Sequence, residues 1–212
     1  MAKVFLGVGH GGSDPGAQGG GLDEADINLG IAVACQAELV RHGVQVRMSR
    51  MREEDDPLTE EIRECNAYDP DLAVDIHTNA GGGSYSLLMV YDRGTAYGYA
   101  EKLAARRREI YSGNVKINVD TRWAELQQTV APAIYDEMVF HDNVDDITWF
   151  HGHLREMAEA TAKAICDMFG MAFVDPYAVD AGVYRVYADV AGREQAEALA
   201  QRLRGEGYAA GI

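Results

Sequence analysis

Two histidines and two glutamates of this chain are of types that bind a metal ion or move a proton. His10 leaves a short apolar run on a glycine loop, and Glu24 follows at the start of an amphipathic segment. His77 ends another apolar run, and Glu137 lies late in a third. Because the carboxyl ends of parallel strands meet at one edge of a sheet, we expect these residues to converge there. Histidine together with carboxylate is typical of zinc sites, so the sequence indicates a metal centre.

The same glycine loop also matches the dinucleotide fingerprint G-x-G-x-x-G, at residues 7–12. That fingerprint needs a helix to begin at once, so that the pyrophosphate lies at the helix N-terminus. Here Ser13, Asp14 and Pro15 follow instead, and no helical pattern begins before Leu22. We therefore favour a metal site over a nucleotide site.

Strand-like and helix-like segments alternate along most of the chain. Strands are predicted at 3–8, 44–48, 72–76, 86–91 and 133–140, and helices at 23–42, 58–68, 96–111 and 144–169. This order predicts an α/β fold, with a twisted, mostly parallel sheet and helices on both faces. A domain at 1–172, a linker at 173–182 and a small β-α-β unit at 183–212 are expected.

Charge and cysteine content exclude several other classes of protein. The formal net charge of -15 disfavours nucleic acid and anionic membranes as partners. The 3 cysteines form no C-x-x-C pair, which disfavours a cysteine zinc site. The first residues run into a strand without a charged and then apolar leader, so we expect synthesis in the cytoplasm without a signal peptide.

Four sequence blocks resemble those of a known enzyme family. They are Gly9-His10-Gly11-Gly12-Ser13-Asp14-Pro15-Gly16-Ala17 with Glu24, then Arg63-x-x-Asn66, then Asp75-Ile76-His77-Thr78-Asn79-Ala80, then Glu137-x-x-Phe140-x-x-Asn143-x-x-Asp146. In order and spacing, residues 3–170 resemble the zinc N-acetylmuramoyl-L-alanine amidases of type 3. The resemblance implies one Zn²⁺ per chain held by His10, Glu24 and His77, with Glu137 as the catalytic glutamate. It implies bacterial peptidoglycan as substrate, cleaved between the lactyl group of N-acetylmuramic acid and the L-alanine of the stem peptide.

Elementary metal chemistry is consistent with that set of residues. Zinc with two histidines and one carboxylate keeps a fourth position for water and lowers the pKa of that water to about 7. A nearby carboxylate, here Glu137, can take the proton of the attacking water and deliver it to the leaving nitrogen. Two alternatives stay open: a zinc hydrolase of another peptide amide, and an inactive protein that binds the cell wall. The enzyme would be a phage endolysin or a host autolysin that reaches the wall after lysis.

Two acids depart from the family pattern. Asp75 stands where the family usually has serine, and it could either support a ligand from behind or face solvent. Asp136 replaces an apolar residue, and strand alternation lets only one of Asp136 and Glu137 point into the site. Asn79 and His141 lie near the candidate residues in the sequence, so they are expected to contact substrate or to support the site.

The C-terminal residues 183–212 resemble the first half of a sporulation-related repeat, a module that binds glycan strands denuded of peptide. The resemblance rests on Tyr184-Arg185-Val186, Ala196-Glu197 and Gly205-x-Gly207-Tyr208. The full module has two such halves, and one half is too small to bury its own apolar face. We predict that two tails pair in a homodimer. The alternative is that the tail packs on its own catalytic domain.

Overall fold

The computed structural model describes residues 1–174 of the chain. Within that part, Met1–Phe173 form one compact unit. The predicted tail unit at 183–212, most of the predicted linker and the predicted dimer contact lie outside the described residues. Of the helices in the described part, none combines the length and the apolar character that a membrane crossing requires.

Strands and helices alternate along the described residues, as the sequence predicts. The strands are β1 (Lys3–Val8), β2 (Gln18–Gly19), β3 (Leu22–Asp23), β4 (Gln45–Met48), β5 (Leu72–Asn79), β6 (Tyr85–Val90), β7 (Asn114–Val119) and β8 (Ala133–Phe140). The helices are α1 (Glu24–Arg41), α2 (Leu58–Tyr68), α3 (Thr95–Arg107), α4 (Ala124–Gln128), α5 (Val144–Gly152) and α6 (Leu154–Met168).

Six strands form one sheet in the order β4-β1-β5-β8-β6-β7. Neighbours in this sheet are parallel except for β6 and β8, which pair antiparallel. The remaining two strands, β2 and β3, form a small antiparallel hairpin that leads into α1. The predicted α/β fold with a mostly parallel sheet is therefore confirmed.

Side chains alternate between the two faces of the sheet, and the two faces are covered unequally. On one face Val4, Leu6 and Ile76 belong to a large core shared with α1, α3, α5 and α6. On the other face Phe5 and Tyr135 belong to a smaller cluster shared with the short helices α2 and α4. The thinly covered face is the one that carries the candidate site.

Four elements were not predicted, and one predicted helix is divided. The edge strand β7 has mostly exposed residues, and β2, β3 and α4 are only a few residues long, so none carries a strong periodic pattern. The segment 144–169 forms two helices that meet at His153. These differences lie around the sheet and leave its central strands as predicted.

Candidate metal centre and active site

His10 lies on the loop that leaves β1, and its backbone has φ of 64°, in the left-handed region. The loop passes so close to the two histidine side chains that glycine is required at positions 9 and 16. A Cβ on Gly9 would lie 2.1 Å from His77 Cε1, and one on Gly16 would lie 2.6 Å from His10 Cδ2. The glycines therefore let two imidazole rings approach each other, with ring centroids 5.0 Å apart.

Glu24 is the first residue of α1, and its carboxylate is fixed by the main chain of two other segments. Oε1 accepts a hydrogen bond from Thr78 N at 2.8 Å, and Oε2 accepts one from Ala17 N at 2.9 Å. The same two oxygens face the histidines: Oε2 lies 3.3 Å from His10 Nε2, and Oε1 lies 3.2 Å from His77 Nδ1. The carboxylate is thus held between the two rings.

His10, Glu24 and His77 form a group that could hold a metal ion, with one ligand atom from each within 4.8 Å of the others. Among the residues that the structure describes, no second group of this kind is found. Two imidazole nitrogens and one carboxylate oxygen are the donor set that catalytic zinc uses in many hydrolases. The residues present therefore fit a zinc ion.

Asp14 adds a carboxylate behind the first histidine. Its Oδ2 lies 2.8 Å from His10 Nδ1, and its Oδ1 accepts from Gly16 N. A carboxylate on the outer nitrogen fixes the ring and leaves Nε2 free to bind a metal. Asp14 was not predicted as a site residue. Its position four residues after His10 on one tight loop could have indicated the contact.

Charges within this group perturb each other strongly. The hydrogen bond to Glu24 raises the pKa of His10 to about 9 against the effect of burial, and Asp14 adds to the rise. Burial alone would raise the pKa of Glu24, but His10 and His77 hold it well below its ordinary value. A cation bound between these groups would therefore displace a proton from His10.

Glu137 lies opposite His77 in the register of β5 and β8, on the same face of the sheet. It is 7% exposed, and its Oε2 has no hydrogen-bond partner within the described residues. Burial, then the charges of Glu24 and Asp136, raises the pKa of Glu137 to about 8. A carboxyl group with a pKa near neutrality can both accept and return a proton.

Asp136 and Glu137 point to opposite faces of the sheet, and Glu137 is the one on the face of the candidate site. Its two oxygens accept hydrogen bonds from Arg107 at 2.5 and 2.6 Å, and Arg107 also donates to Ser86 Oγ. Asp136 and Arg107 are both almost completely buried. Asp136 is therefore a partner of α3 and not a group of the candidate site.

His141 and Asn79 support the site from behind it. His141 is completely buried, with Nε2 2.9 Å from Leu22 O and Nδ1 3.1 Å from Thr78 Oγ1. Thr78 is the residue whose N–H holds Glu24, so His141 fixes a neighbour of a candidate ligand and lies away from the surface that a substrate can reach. Asn79 is half-buried, and its carbonyl accepts from His141 N.

Asp75 does not face solvent. It is 4% exposed and lies under β1, where its Oδ1 and Glu61 Oε1 both approach the position that a Cβ on Gly7 would take, at 2.2 and 2.5 Å. Burial raises the pKa of both carboxyl groups. The charge of Asp75 raises the pKa of Glu61 further, whereas the hydrogen bond with Glu61 lowers that of Asp75, so Glu61 is the group that holds the proton. The pair is a buried acidic contact between β5 and α2.

A groove with a volume of about 550 Å³ opens beside the candidate ligands on the thinly covered face. His10 and His77 lie in its wall together with Trp123 and Tyr135. The Tyr135 ring stacks on His77 with centroids 4.4 Å apart and an angle of 15°, and Trp123 lies against Tyr135. The wall contains five carboxylate residues, Asp14, Asp55, Asp56, Glu61 and Glu125, and no lysine or arginine. The groove is therefore acidic and opens directly onto the two histidines.

This α/β domain, with two histidines and a glutamate gathered beside a buried carboxyl group, has the features of a metal-dependent hydrolase. Residues 4–167 match the N-acetylmuramoyl-L-alanine amidase model of the Amidase_3 family. The chain belongs to that family.

Individual relatives and solved structures agree with the family. The chain is 27% identical over 217 residues to the sporulation-specific N-acetylmuramoyl-L-alanine amidase of Bacillus subtilis, covering 98% of this chain and 83% of that relative. It is 28% identical over 183 residues to the endolysin of Bacillus phage SPP1, covering 81% of this chain and 68% of the endolysin. The structure of N-acetylmuramoyl-L-alanine amidase AmiC2 of Nostoc punctiforme superposes with a TM-score of 0.73 at 25% identity, covering 80% of this chain and 97% of that one.

Proposed function

We propose that this protein hydrolyses the amide bond between N-acetylmuramic acid and L-alanine in bacterial peptidoglycan. In this proposal His10, Glu24 and His77 hold one Zn²⁺, and Glu137 is the general base. Family membership supports the reaction. The observation that carries the mechanism is the register of β5 and β8, because it places Glu137 opposite His77 on the groove side of the sheet.

The three candidate ligands and Glu137 have different roles in the reaction. Zinc bound by the ligands would supply a Lewis acid for the scissile carbonyl and would lower the pKa of water. Glu137 in its ionised form takes the proton of the attacking water and then gives it to the amide nitrogen of L-alanine as the bond breaks. Its raised pKa and its unpartnered Oε2 suit both transfers, since no hydrogen-bond donor within the described residues competes for that oxygen.

Hydrogen bonds and one ring stack keep these groups in place during the reaction. Asp14 fixes the ring of His10 through Nδ1, and the stacked ring of Tyr135 limits rotation of His77. The N–H groups of Ala17 and Thr78 hold both oxygens of Glu24. The site thus needs little rearrangement when substrate enters, which favours catalysis by a preorganised site.

Mass spectrometry of products from defined muropeptides tests the proposal. The expected products are N-acetylmuramic acid with a free lactyl carboxylate and a stem peptide with a free L-alanine amine. Cleavage at a different amide would instead support a zinc hydrolase of another peptide bond. Bound zinc without cleavage would support an inactive wall-binding protein. The Glu137→Gln variant is the control for contaminating hydrolases.

The place of action and the oligomeric state complete the proposal. The cell wall is the place where the substrate lies, so the protein would act there after release by lysis. The match to the sporulation-specific relative covers 98% of the chain, so it extends into the tail. Pairing of two tails rests on the sequence of residues 183–212. Light scattering of the full chain and of a variant ending at Pro176 tests it, because only the full chain should dimerise.

A further inference from the structure

Arg50 is a buried cation whose donors go almost entirely to main-chain carbonyl groups. It is 2% exposed and follows the edge strand β4. Nε donates to Val8 O at 3.2 Å, and Nη2 donates to Ala25 O at 2.7 Å and to Gly9 O at 3.3 Å. Nη1 donates to the carbonyl of the nearby loop and lies 3.6 Å from a carboxylate oxygen of the half-exposed Glu53. The guanidinium therefore links three segments that are distant in sequence.

Two of those segments carry candidate ligands. Gly9 comes immediately before His10, and Ala25 comes immediately after Glu24. The residue on the other side of His10 also lies against Arg50, since a Cβ on Gly11 would be 2.8 Å from Nε. Arg50 therefore donates to the residue before His10, fills the space beside the residue after it, and ties this loop to the first turn of α1.

The backbone of His10 needs such support. Its φ of 64° is unfavourable for a residue other than glycine, and conformations of this kind persist only where the surrounding structure holds them. Asn28 also donates to this loop, with Nδ2 3.2 Å from Gly9 O. Arg50 donates both to Gly9 O and to Ala25 O, and its Nε occupies the space beside Gly11.

We infer that Arg50 is a positioning residue for the metal centre. It keeps His10 in the left-handed conformation and fixes the distance between the His10 ring and the Glu24 carboxylate. It acts through the backbone and touches neither metal nor substrate. The inference rests on the ligand assignment of the proposed function but not on the identity of the substrate.

The Arg50→Lys variant tests this role because lysine keeps the charge but lacks the planar fork that reaches several carbonyl groups at once. Zinc affinity is measured in the full chain by competition with a chromogenic chelator. We expect the affinity to fall by about 10- to 100-fold, which is typical when a residue supporting a metal ligand is changed. Thermal unfolding of the metal-free variant is recorded in parallel, so that lost affinity is separated from lost stability.

Two arginines provide matched controls. Arg47 lies on β4, just before Arg50, but it is exposed and pairs with Glu64, so Arg47→Lys should leave zinc affinity unchanged. Arg107 is as deeply buried as Arg50, but its partner Asp136 lies on the face of the sheet opposite the candidate site. Arg107→Lys should lower the unfolding temperature and keep zinc affinity within about twofold of wild type. Equal losses of affinity in Arg50→Lys and Arg107→Lys would overturn the inference, as would unchanged affinity in Arg50→Lys.

A measurement on the wild-type protein serves if Arg50→Lys does not fold. If Arg50 and the metal site are coupled, zinc must stabilise the hydrogen bonds of Arg50 in return. Exchange of the Arg50 Nε proton, followed by NMR, should slow by about fivefold or more when zinc is added. An unchanged exchange rate would overturn the inference. Wild-type protein that binds zinc but leaves muropeptides intact would contradict the proposed function alone, whereas failure of the wild type to bind zinc would contradict both.

Discussion

Glu137 and Asp136 are neighbours on β8 whose side chains serve opposite faces of the sheet. Glu137 lies opposite His77 on the face of the sheet that carries the candidate site, and Asp136 forms a buried ion pair with Arg107, with two hydrogen bonds, under α3. Two acids that look equivalent in the sequence therefore occupy different environments. Their substitutions should have different effects, which provides a direct test of the proposed base.

Glu137→Gln should keep zinc and lose turnover. The amide is nearly the same size as the carboxyl group but cannot accept the proton of water, so kcat should fall by about 10²-fold or more. Metal analysis and muropeptide turnover are measured on the same preparation. Asp136→Asn is the matched comparison, and it should lower stability by about 3–5 kcal/mol because Arg107 is left without its buried charge partner. If Asp136→Asn abolished turnover with normal stability while Glu137→Gln did not, the assignment of the base would be wrong.

His77→Ala should lose bound metal and activity together. The substitution removes one of three ligand atoms and leaves Glu24 with one imidazole neighbour. Zinc content is measured after dialysis against a weak chelator. His42→Ala, at the end of α1 and outside this group, should retain zinc. Full zinc occupancy in His77→Ala would contradict the assignment.

Zinc affinity should increase with pH across the neutral range. In the metal-free protein the hydrogen bond to Glu24 raises the pKa of His10 to about 9, so His10 carries a proton at pH 7 that zinc must displace. Because one proton is displaced, the apparent affinity should rise about tenfold for each unit increase in pH, as long as the pH stays below that pKa. Chelator competition at pH 6.5, 7.5 and 8.5, corrected for protonation of the chelator, measures the slope. An affinity that is flat over this range would show that His10 is not a ligand.

Asp14→Ala should weaken zinc binding without removing a ligand. Loss of the 2.8 Å contact to His10 Nδ1 leaves the ring less well oriented, and we expect an affinity about 10- to 100-fold lower. The control is Asp92→Ala, because Asp92 accepts a hydrogen bond within an exposed turn remote from the ligands. Zinc affinity of Asp14→Ala equal to that of the control would mean that the carboxylate contact has no role.

Glu61→Gln should make the protein more stable at alkaline pH relative to wild type. Burial and the charge of Asp75 raise the pKa of Glu61 well above its ordinary value, so folding favours the protonated form. That contribution is fully present below the unfolded pKa of about 4.3 and is lost as pH rises through the raised pKa of the folded protein. Relative to wild type, the variant should therefore gain roughly 1–2 kcal/mol between pH 5 and pH 8.

Thermal unfolding of metal-free protein at both pH values measures this gain. Glu60→Gln is the control, since Glu60 pairs with Arg63 on the exposed side of α2. A gain of the same size in Glu60→Gln would assign the effect to the general charge of the protein and not to the buried pair.

The sequence predicted the parts of the site that rely on local pattern. His10 follows β1, His77 lies near the end of β5, and Glu24 begins α1, so periodicity and glycine spacing were enough to predict that they meet at one edge of the sheet. Asp14 could also have been found, because it lies on the same tight loop as His10.

Support that acts across distant segments could not be predicted in this way. Arg50 and Ala25 O are joined over 25 positions, and Thr78 and His141 over 63. Such contacts form only in the assembled sheet and do not produce a periodic pattern in the sequence. Asp146 is a further example: it belongs to a recognisable sequence block, yet it accepts hydrogen bonds from Ser84 and Tyr111 and lies outside the ligand group.

The ion pair between Asp136 and Arg107 also has a consequence for how the chain folds. A slip of β8 by one residue would turn each of its side chains to the other face, so Asp136 would enter the groove and Tyr135 would enter the core under α3. Arg107 would then lose the partner that its two hydrogen bonds require. The pair therefore penalises the wrong alignment of β8 while the sheet assembles. A contact that takes no part in the chemistry thus favours an alignment that keeps Glu137 on the same face of the sheet as His77.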